Sequence, residues 1–189
     1  MAYPHRVSSG SLAPQRARNQ RLLWVTLCVA AVVVVIDQIT KVLAVAYLVE
    51  GRPVEVLGPV LRLNLVRNPG AAFSMGTSFT VILSLLAVGV AVVIIRTART
   101  LGSLGWAVAL GGLLGGALGN LTDRMVREPG LFRGHVVDYL QLPNWPVFNV
   151  ADMAIVGSAI LMGYLTLRGV GLSGARSTGT SESTGGNVA

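Results

Sequence analysis

"LLWVTLCVAAVVVVIDQITKVLAVAYLV", residues 22–49, is long and apolar enough to cross a bilayer, yet it carries Asp37, Gln38, Thr40 and Lys41. A charged side chain in hydrocarbon is expensive. The run is therefore either a membrane helix with a use for its charges or a leader that is removed. The leader reading has some support: Arg16, Arg18 and Arg21 form a basic region, and Ala44-Val45-Ala46 has the small-x-small form. But the apolar run is too long, and Asp37 and Lys41 interrupt it before that site. An uncleaved spanning helix remains, and it decides the fold class. Cys28 is not a lipidation site, because Leu27 precedes it where a small residue is needed.

Three more apolar runs lie downstream, at 79–96 ending in Arg96, at Leu104–Leu121, and from Phe148 to Leu167 before Arg168. Each is close to the roughly 20 residues that cross a bilayer core. Composition agrees. Of 189 residues, 52% are hydrophobic and only 12% charged, against about 25% charged in soluble domains. The mean hydropathy is +0.66. A single cysteine permits no disulfide within one chain. The net charge of +7 could suggest nucleic acid, but the arginines sit at the edges of apolar runs with no aromatic-interleaved basic face, so no nucleic-acid partner is expected.

Four spans place both termini on one side. That side collects eight arginines: Arg6, Arg16, Arg18, Arg21, Arg96, Arg99, Arg168 and Arg176. The other collects six, in the longer loops: Arg52, Arg62, Arg67, Arg124, Arg127 and Arg133. The tails and the tight turn favour the cytoplasm. The expected order is a cytoplasmic tail 1–21, helix 22–49, an outer segment 50–78, helix 79–96, a turn 97–103, helix 104–122, an outer loop 123–147, helix 148–168 and a disordered tail 169–189. The fold class is an all-α membrane protein of four helices with a small β-element. That element is expected in 54–57 and 60–66, where Leu61, Leu63 and Leu65 alternate with Arg62 and Asn64. It ends in the turn Asn68-Pro69-Gly70.

With this topology the awkward polar residues share one depth. Asp37 lies sixteen residues after Arg21, about 24 Å along a helix, with Lys41 a turn further. Asn120 and Asp123 close the third span, Asp138 lies in the outer loop, and Asn149 and Asp152 open the fourth. Each has a plain structural reading. Asp37 and Lys41 at i, i+4 suit an ion pair. Asn120, Asp123 and Arg124 suit a helix C-terminus, Asn149 an N-cap, and Asp152 the positive end of a helix dipole. Asp138 suits a solvated loop. Gathered at one level, they suggest a site. The glycines of "LGGLLGGALGN", 110–120, include the small-xxx-small pairs Gly111/Gly115, Gly112/Gly116 and Gly115/Gly119. These permit close helix packing in lipid and would bring Asn120 near its neighbours.

No serine elbow or Cys–His pair is present, and His5 and His135 are the only histidines, so zinc lacks ligands. What remains is a carboxylate pair, Asp138 and Asp152, able to share a proton, one activating water and the other protonating the carbonyl or leaving amine. Asn149 and Asp152, three apart, face one side of their helix, and Asn149 is expected to hydrogen-bond the pair or the substrate backbone.

The motifs "DQITK" (37–41), "NPGAAFS" (68–74), "GNLTDR" (119–124), "VVDYL" (136–140) and "FNVADMAI" (148–155), in this order between four spans, make residues 22–168 resemble the lipoprotein signal peptidases (signal peptidase II), bacterial membrane aspartyl proteases. The resemblance implies that Asp138 and Asp152 are the catalytic dyad. It implies that Asp37, Lys41, Asn68, Gly70, Asn120, Asp123, Arg124 and Asn149 order the site or hold substrate. It also implies that the β-element is an extracytoplasmic cradle. The substrate would be a diacylglyceryl-modified prolipoprotein, cleaved on the amino side of its lipidated cysteine. Membrane lipids would be the other partners, no metal or cofactor would be used, and a monomer is expected in the bacterial plasma membrane. The stretch 124–137 is longer than is usual in that family, and Pro129-Gly130 predicts an added turn in a lid-like loop. A proton relay is the main rival, but the inner halves of the four spans lack acidic residues. An interaction subunit without chemistry is the other.

Overall fold

A computed structural model describes residues 12–70 and 77–175. Residues 1–11 and 176–189 of the expected tails, and the Ala71–Ser74 part of the second motif, fall outside these residues. Four helices are long and apolar enough to span a membrane: α1 (Leu12–Tyr47), α2 (Thr77–Ala98), α3 (Leu104–Val126) and α4 (Val150–Leu167). Three strands, β1 (Val54–Leu57), β2 (Leu61–Asn68) and β3 (Val136–Gln141), form one antiparallel sheet in the order β1-β2-β3.

α3 is the central helix. In its spanning window 56% of residues are buried, against 22%, 22% and 17% for α1, α2 and α4. Its glycines explain this. A Cβ at Gly111 or Gly115 would press on Val29 and Val33 and on the carbonyls of Thr26 and Ala30 in α1. One at Gly112 or Gly116 would meet Ser158, Ile155 and the Ala151 carbonyl in α4. One register of small residues thus receives α1 and the next receives α4, as the small-xxx-small spacing predicts. At Gly116 the added carbon would lie 2.5 Å from the Ala151 oxygen, so α4 would have to move. Gly116→Ala is expected to cost about 1–3 kcal/mol of stability, as overpacking does. A detergent unfolding midpoint equal to wild type would contradict this packing.

Several boundaries differ from the sequence reading. α1 begins at Leu12, so residues 12–21 are helical rather than tail; Arg, Gln and Ala are good helix formers once a helix is nucleated. α3 runs on to Val126, four residues past the expected end, with Asp123 and Arg124 in its last turn. α4 begins at Val150 with Asn149 as its N-cap. The loop 123–147 contains β3, whose burial is continuous over Val136–Tyr139 instead of alternating. That edge strand lies under the sheet's junction with α1, where Ala44, Leu65, Val137 and Tyr139 pack together. Strand β2 reaches two residues past the expected end, which makes Asn68 a strand residue.

Candidate active site

Asp138 and Asp152 reach one end of the bundle by different routes. Asp138 lies on β3 opposite Val66, while Asn68 pairs with Val136. Asn68 and Asp138 are therefore diagonal neighbours on one sheet face. The Asn68 Nδ2 donates to Asp138 Oδ2 at 2.9 Å. Its own Oδ1 accepts from the Gly70 N–H at 2.8 Å, which turns the amide so that its NH2 faces the carboxyl. Gly70, at φ 98°, takes a left-handed conformation that favours glycine.

Asp152 is positioned by the start of α4. After β3 the chain doubles back and Phe148 pairs with Leu140, N–H to carbonyl in both directions at 2.8 and 2.9 Å. This sets Asn149 beside Asp138. The Asn149 Oδ1 accepts from the Asp152 N–H at 3.0 Å, and Asp152 Oδ2 accepts from the Asn149 N–H at 3.1 Å, a capping box. Asn149 is the N-cap, and its Nδ2 also donates to Asp138 Oδ1 at 2.6 Å. From α3, Asn120 Nδ2 donates to Asp152 Oδ1 at 2.8 Å, and Asn120 Oδ1 accepts from Asn149 Nδ2 at 3.1 Å. Two asparagines therefore bridge the two aspartates. Among the described residues no hydrogen bond joins the carboxyls directly.

Asp138 is 3% exposed, not a solvated loop residue. Burial raises its pKa to about 6; the Asn68 and Asn149 amides oppose that rise and the charge of Asp152 adds to it. One carboxyl of the pair thus titrates close to neutrality, as acid–base work requires.

Behind the dyad lies a fully buried charge cluster. Lys41 Nζ has three protons and three acceptors: Asp37 Oδ2 at 2.8 Å, Asp123 Oδ2 at 2.8 Å and Asn120 Oδ1 at 2.9 Å. Asp37 Oδ1 accepts the Ala151 N–H at 2.9 Å, holding the first turn of α4. Asp123 Oδ2 accepts the Val137 N–H at 3.2 Å, holding β3 one residue before Asp138, and Asp123 Oδ1 pairs with Arg127 at 2.7 Å. The i, i+4 pair expected of Asp37 and Lys41 exists, but as part of a cluster that holds both the start of α4 and strand β3. Gln38 extends it, donating to Asp37, to the Gly119 carbonyl and weakly to Asp123. Sequence reasoning passed over Gln38, although its place between Asp37 and Lys41 was a signal. Arg124 lies within electrostatic reach of Asp138, Asp123 and Asp152; its Nε is buried with no partner among the described residues, and its Nη1 is 3.4 Å from the Asn120 carbonyl. Among the described residues no three His, Cys, Asp or Glu side chains gather as a metal site.

A groove of about 350 Å³ opens at Asp152 and runs along the outside of α4 past Trp145, Phe148, Met153, Val156 and Ile160. It is almost wholly apolar and faces where lipid would lie.

Residues 29–168 match the family of signal peptidase (SPase) II. The chain is 53% identical to the lipoprotein signal peptidase of Rhodococcus jostii, over 89% of this chain and 84% of that one. It is 53% identical to that of Mycobacterium avium, over 85% and 88%, and 49% identical to that of Streptomyces coelicolor, over 84% and 78%. Its fold is similar to a bacterial membrane enzyme solved by the in meso method at 1.9 Å, with a TM-score of 0.69 at 26% identity over 76% of this chain and 92% of that one. A second such structure, at 2.3 Å, gives 0.68 at 25% identity over 87% and 94%. With four spanning helices, a polar cluster at one end and likeness over most of its length, the chain belongs to the signal peptidase II family of bacterial membrane proteases.

Proposed function

We propose that this protein removes signal peptides from diacylglyceryl-modified prolipoproteins, cutting on the amino side of the lipidated cysteine with Asp138 and Asp152 as an aspartyl dyad. The observation that carries this is the bridging of two carboxyls from separate elements by Asn120 and Asn149. One carboxyl takes a proton from water as it attacks the scissile carbonyl. The other donates its proton to the carbonyl oxygen. As the tetrahedral intermediate collapses, the first passes the proton it took from water to the leaving amine, and the second takes one back from the intermediate's hydroxyl. Asn68 and Asn149 hold Asp138, while the capping box holds Asp152. Arg124, with donor capacity beside the dyad, is suited to a substrate carbonyl. The apolar groove at Asp152 supports a lipid-anchored substrate, whose acyl chains would keep the scissile bond at the boundary. Both termini lie in the cytoplasm and the dyad at the extracytoplasmic face. No metal or cofactor takes part, and the monomer is the working unit.

The test is a gel-shift and mass-spectrometric assay with purified protein in detergent. A diacylglyceryl-modified prolipoprotein should yield a fragment whose new amino terminus is the lipidated cysteine, and the unlipidated precursor should stay intact. Equal cleavage of both precursors would refute the substrate class. The pH dependence follows from Asp138: the kcat/KM profile should break near pH 6. Asn68 donates to the ionised form, so Asn68→Ala should move that break upward. A hydrogen bond to a charged group is worth about 1.5 kcal/mol, or about one pH unit. A break that stays in place would mean that Asp138 is not the group observed.

A further inference from the structure

Among the described residues α2 gives no side chain to the two aspartates, yet it buries two hydroxyls one turn apart. Thr80 is 1% exposed and Ser84 is 0% exposed, on a helix that is otherwise almost entirely apolar between Thr80 and Ile95. Thr80 Oγ1 donates to the carbonyl of Pro69. Ser84 Oγ lies 2.8 Å from the Thr80 carbonyl and 3.0 Å from the Phe132 carbonyl, within donating range of both. The two loop carbonyls are not random ones. Pro69 directly follows Asn68, whose amide holds Asp138 Oδ2. Phe132, at φ 61°, lies in the loop between α3 and β3.

We infer that Thr80 is a positioning residue for the reaction: by fixing the Pro69 carbonyl it holds the Asn68 amide against Asp138. Without that bond the Pro69 carbonyl would lose its buried donor, and the end of β2 could move away from β3. Buried backbone oxygens left unpaired are costly, so the segment would rearrange to find a partner. Asn68 would then retreat with it. Ser84 makes the same kind of bond on the same helix, but to Phe132, four residues before β3 begins, in a segment that does not carry Asn68, which makes it an internal control. The other charged groups facing Asp138 are Asp152 on α4, Lys41 on α1 and Arg124 on α3. On β2, Arg67 is turned away to Glu50. Among the described residues no hydrogen bond or ion pair joins any of these groups to Thr80, so a change there reaches Asp138 through Asn68.

This inference rests on the dyad reading above, and the experiment separates the two. The kcat/KM profile against pH is measured with the lipidated precursor for wild type, Asn68→Ala, Thr80→Val, Thr80→Ser, Ser84→Ala and the Asn68→Ala/Thr80→Val double variant. Thr80→Val should raise the break near pH 6 by about half a unit or more, in the same direction as Asn68→Ala. The double variant should rise no further than Asn68→Ala. Thr80→Ser, which keeps the hydroxyl, should restore the wild-type break even if Thr80→Val folds too poorly to assay. Ser84→Ala should lower the unfolding midpoint and leave the break in place. If Asn68→Ala moves the break but Thr80→Val does not, or Ser84→Ala moves it as far, Thr80 has only a structural role and the inference is overturned. If no variant, Asn68→Ala included, moves the break, the dyad reading falls and takes this one with it.

Discussion

Asp138→Asn and Asp152→Asn, each folded in detergent or lipid, are expected to cleave the lipidated precursor at least about 100-fold more slowly than wild type, the loss usual for an essential acid–base group. The geometry says why the loss should be chemical. Asp138 is approached by two amide donors, one on each oxygen. Asp152 is likewise approached on both, by Asn120 Nδ2 and the Asn149 N–H. Both carboxyls are held as hydrogen-bond acceptors on each oxygen. Asparagine keeps the size but presents an NH2 to one of those donors and titrates nothing. The stability cost should differ between the two. Asp152 also serves the capping box, and weakening a cap costs about 1 kcal/mol; Asp138 has no such second duty. The comparison therefore needs unfolding midpoints beside the cleavage rates. Folded variants that retain a tenth or more of the wild-type rate would show the carboxyls to be structural and would remove the dyad from the proposal.

Much of this arrangement was legible because membranes simplify the code. Four apolar runs of spanning length give four helices. The glycine spacing in 111–119 gives the two faces of α3. What was not legible depended on partners distant in the chain. Asp123 does lie in the last turn of α3, but nothing nearby in sequence shows that Lys41 on α1 will pair with it. β3 reads as loop because its four consecutive buried residues carry no alternation, and an edge strand packed on a helix need not show one. The bridging by Asn120 and Asn149 joins α3, α4 and β3, three segments that only the fold brings together. Gln38 and Thr80 were passed over for the opposite reason: each is uncharged and ordinary in its helix, and only its hydrogen-bond partners single it out.

Lys41→Met should produce the largest loss of stability of any single substitution at this end of the bundle. Lys41, Asp37 and Asp123 are all 0% exposed, and each proton of the ammonium has an acceptor. Assembling such a cluster gains little over apolar packing, since the Coulomb attraction mainly repays desolvation. Breaking it is different. With the cation gone, Asp37 and Asp123 lose the charge between them, and only Asp123 keeps a cationic partner, Arg127. Removing one partner of a buried pair costs about 3–5 kcal/mol. The exposed pair Arg67–Glu50, with side chains 46% and 53% exposed, is the internal contrast: Glu50→Gln should cost less than about 1 kcal/mol. Unfolding of both variants in one detergent decides the matter. The Lys41 effect should also spread to activity, because Asp37 holds the Ala151 N–H at the head of α4 and Asp123 holds the Val137 N–H of β3. If the carboxylates repel, the two elements that carry Asp152 and Asp138 lose their common anchor. Lys41→Arg keeps the charge but replaces a compact ammonium with a planar fork that cannot meet three acceptors in this geometry, so it should recover part of the stability and little of the cleavage rate. Full recovery of both by arginine would mean that charge alone matters here, and that the three-way geometry at Lys41 does not position the dyad.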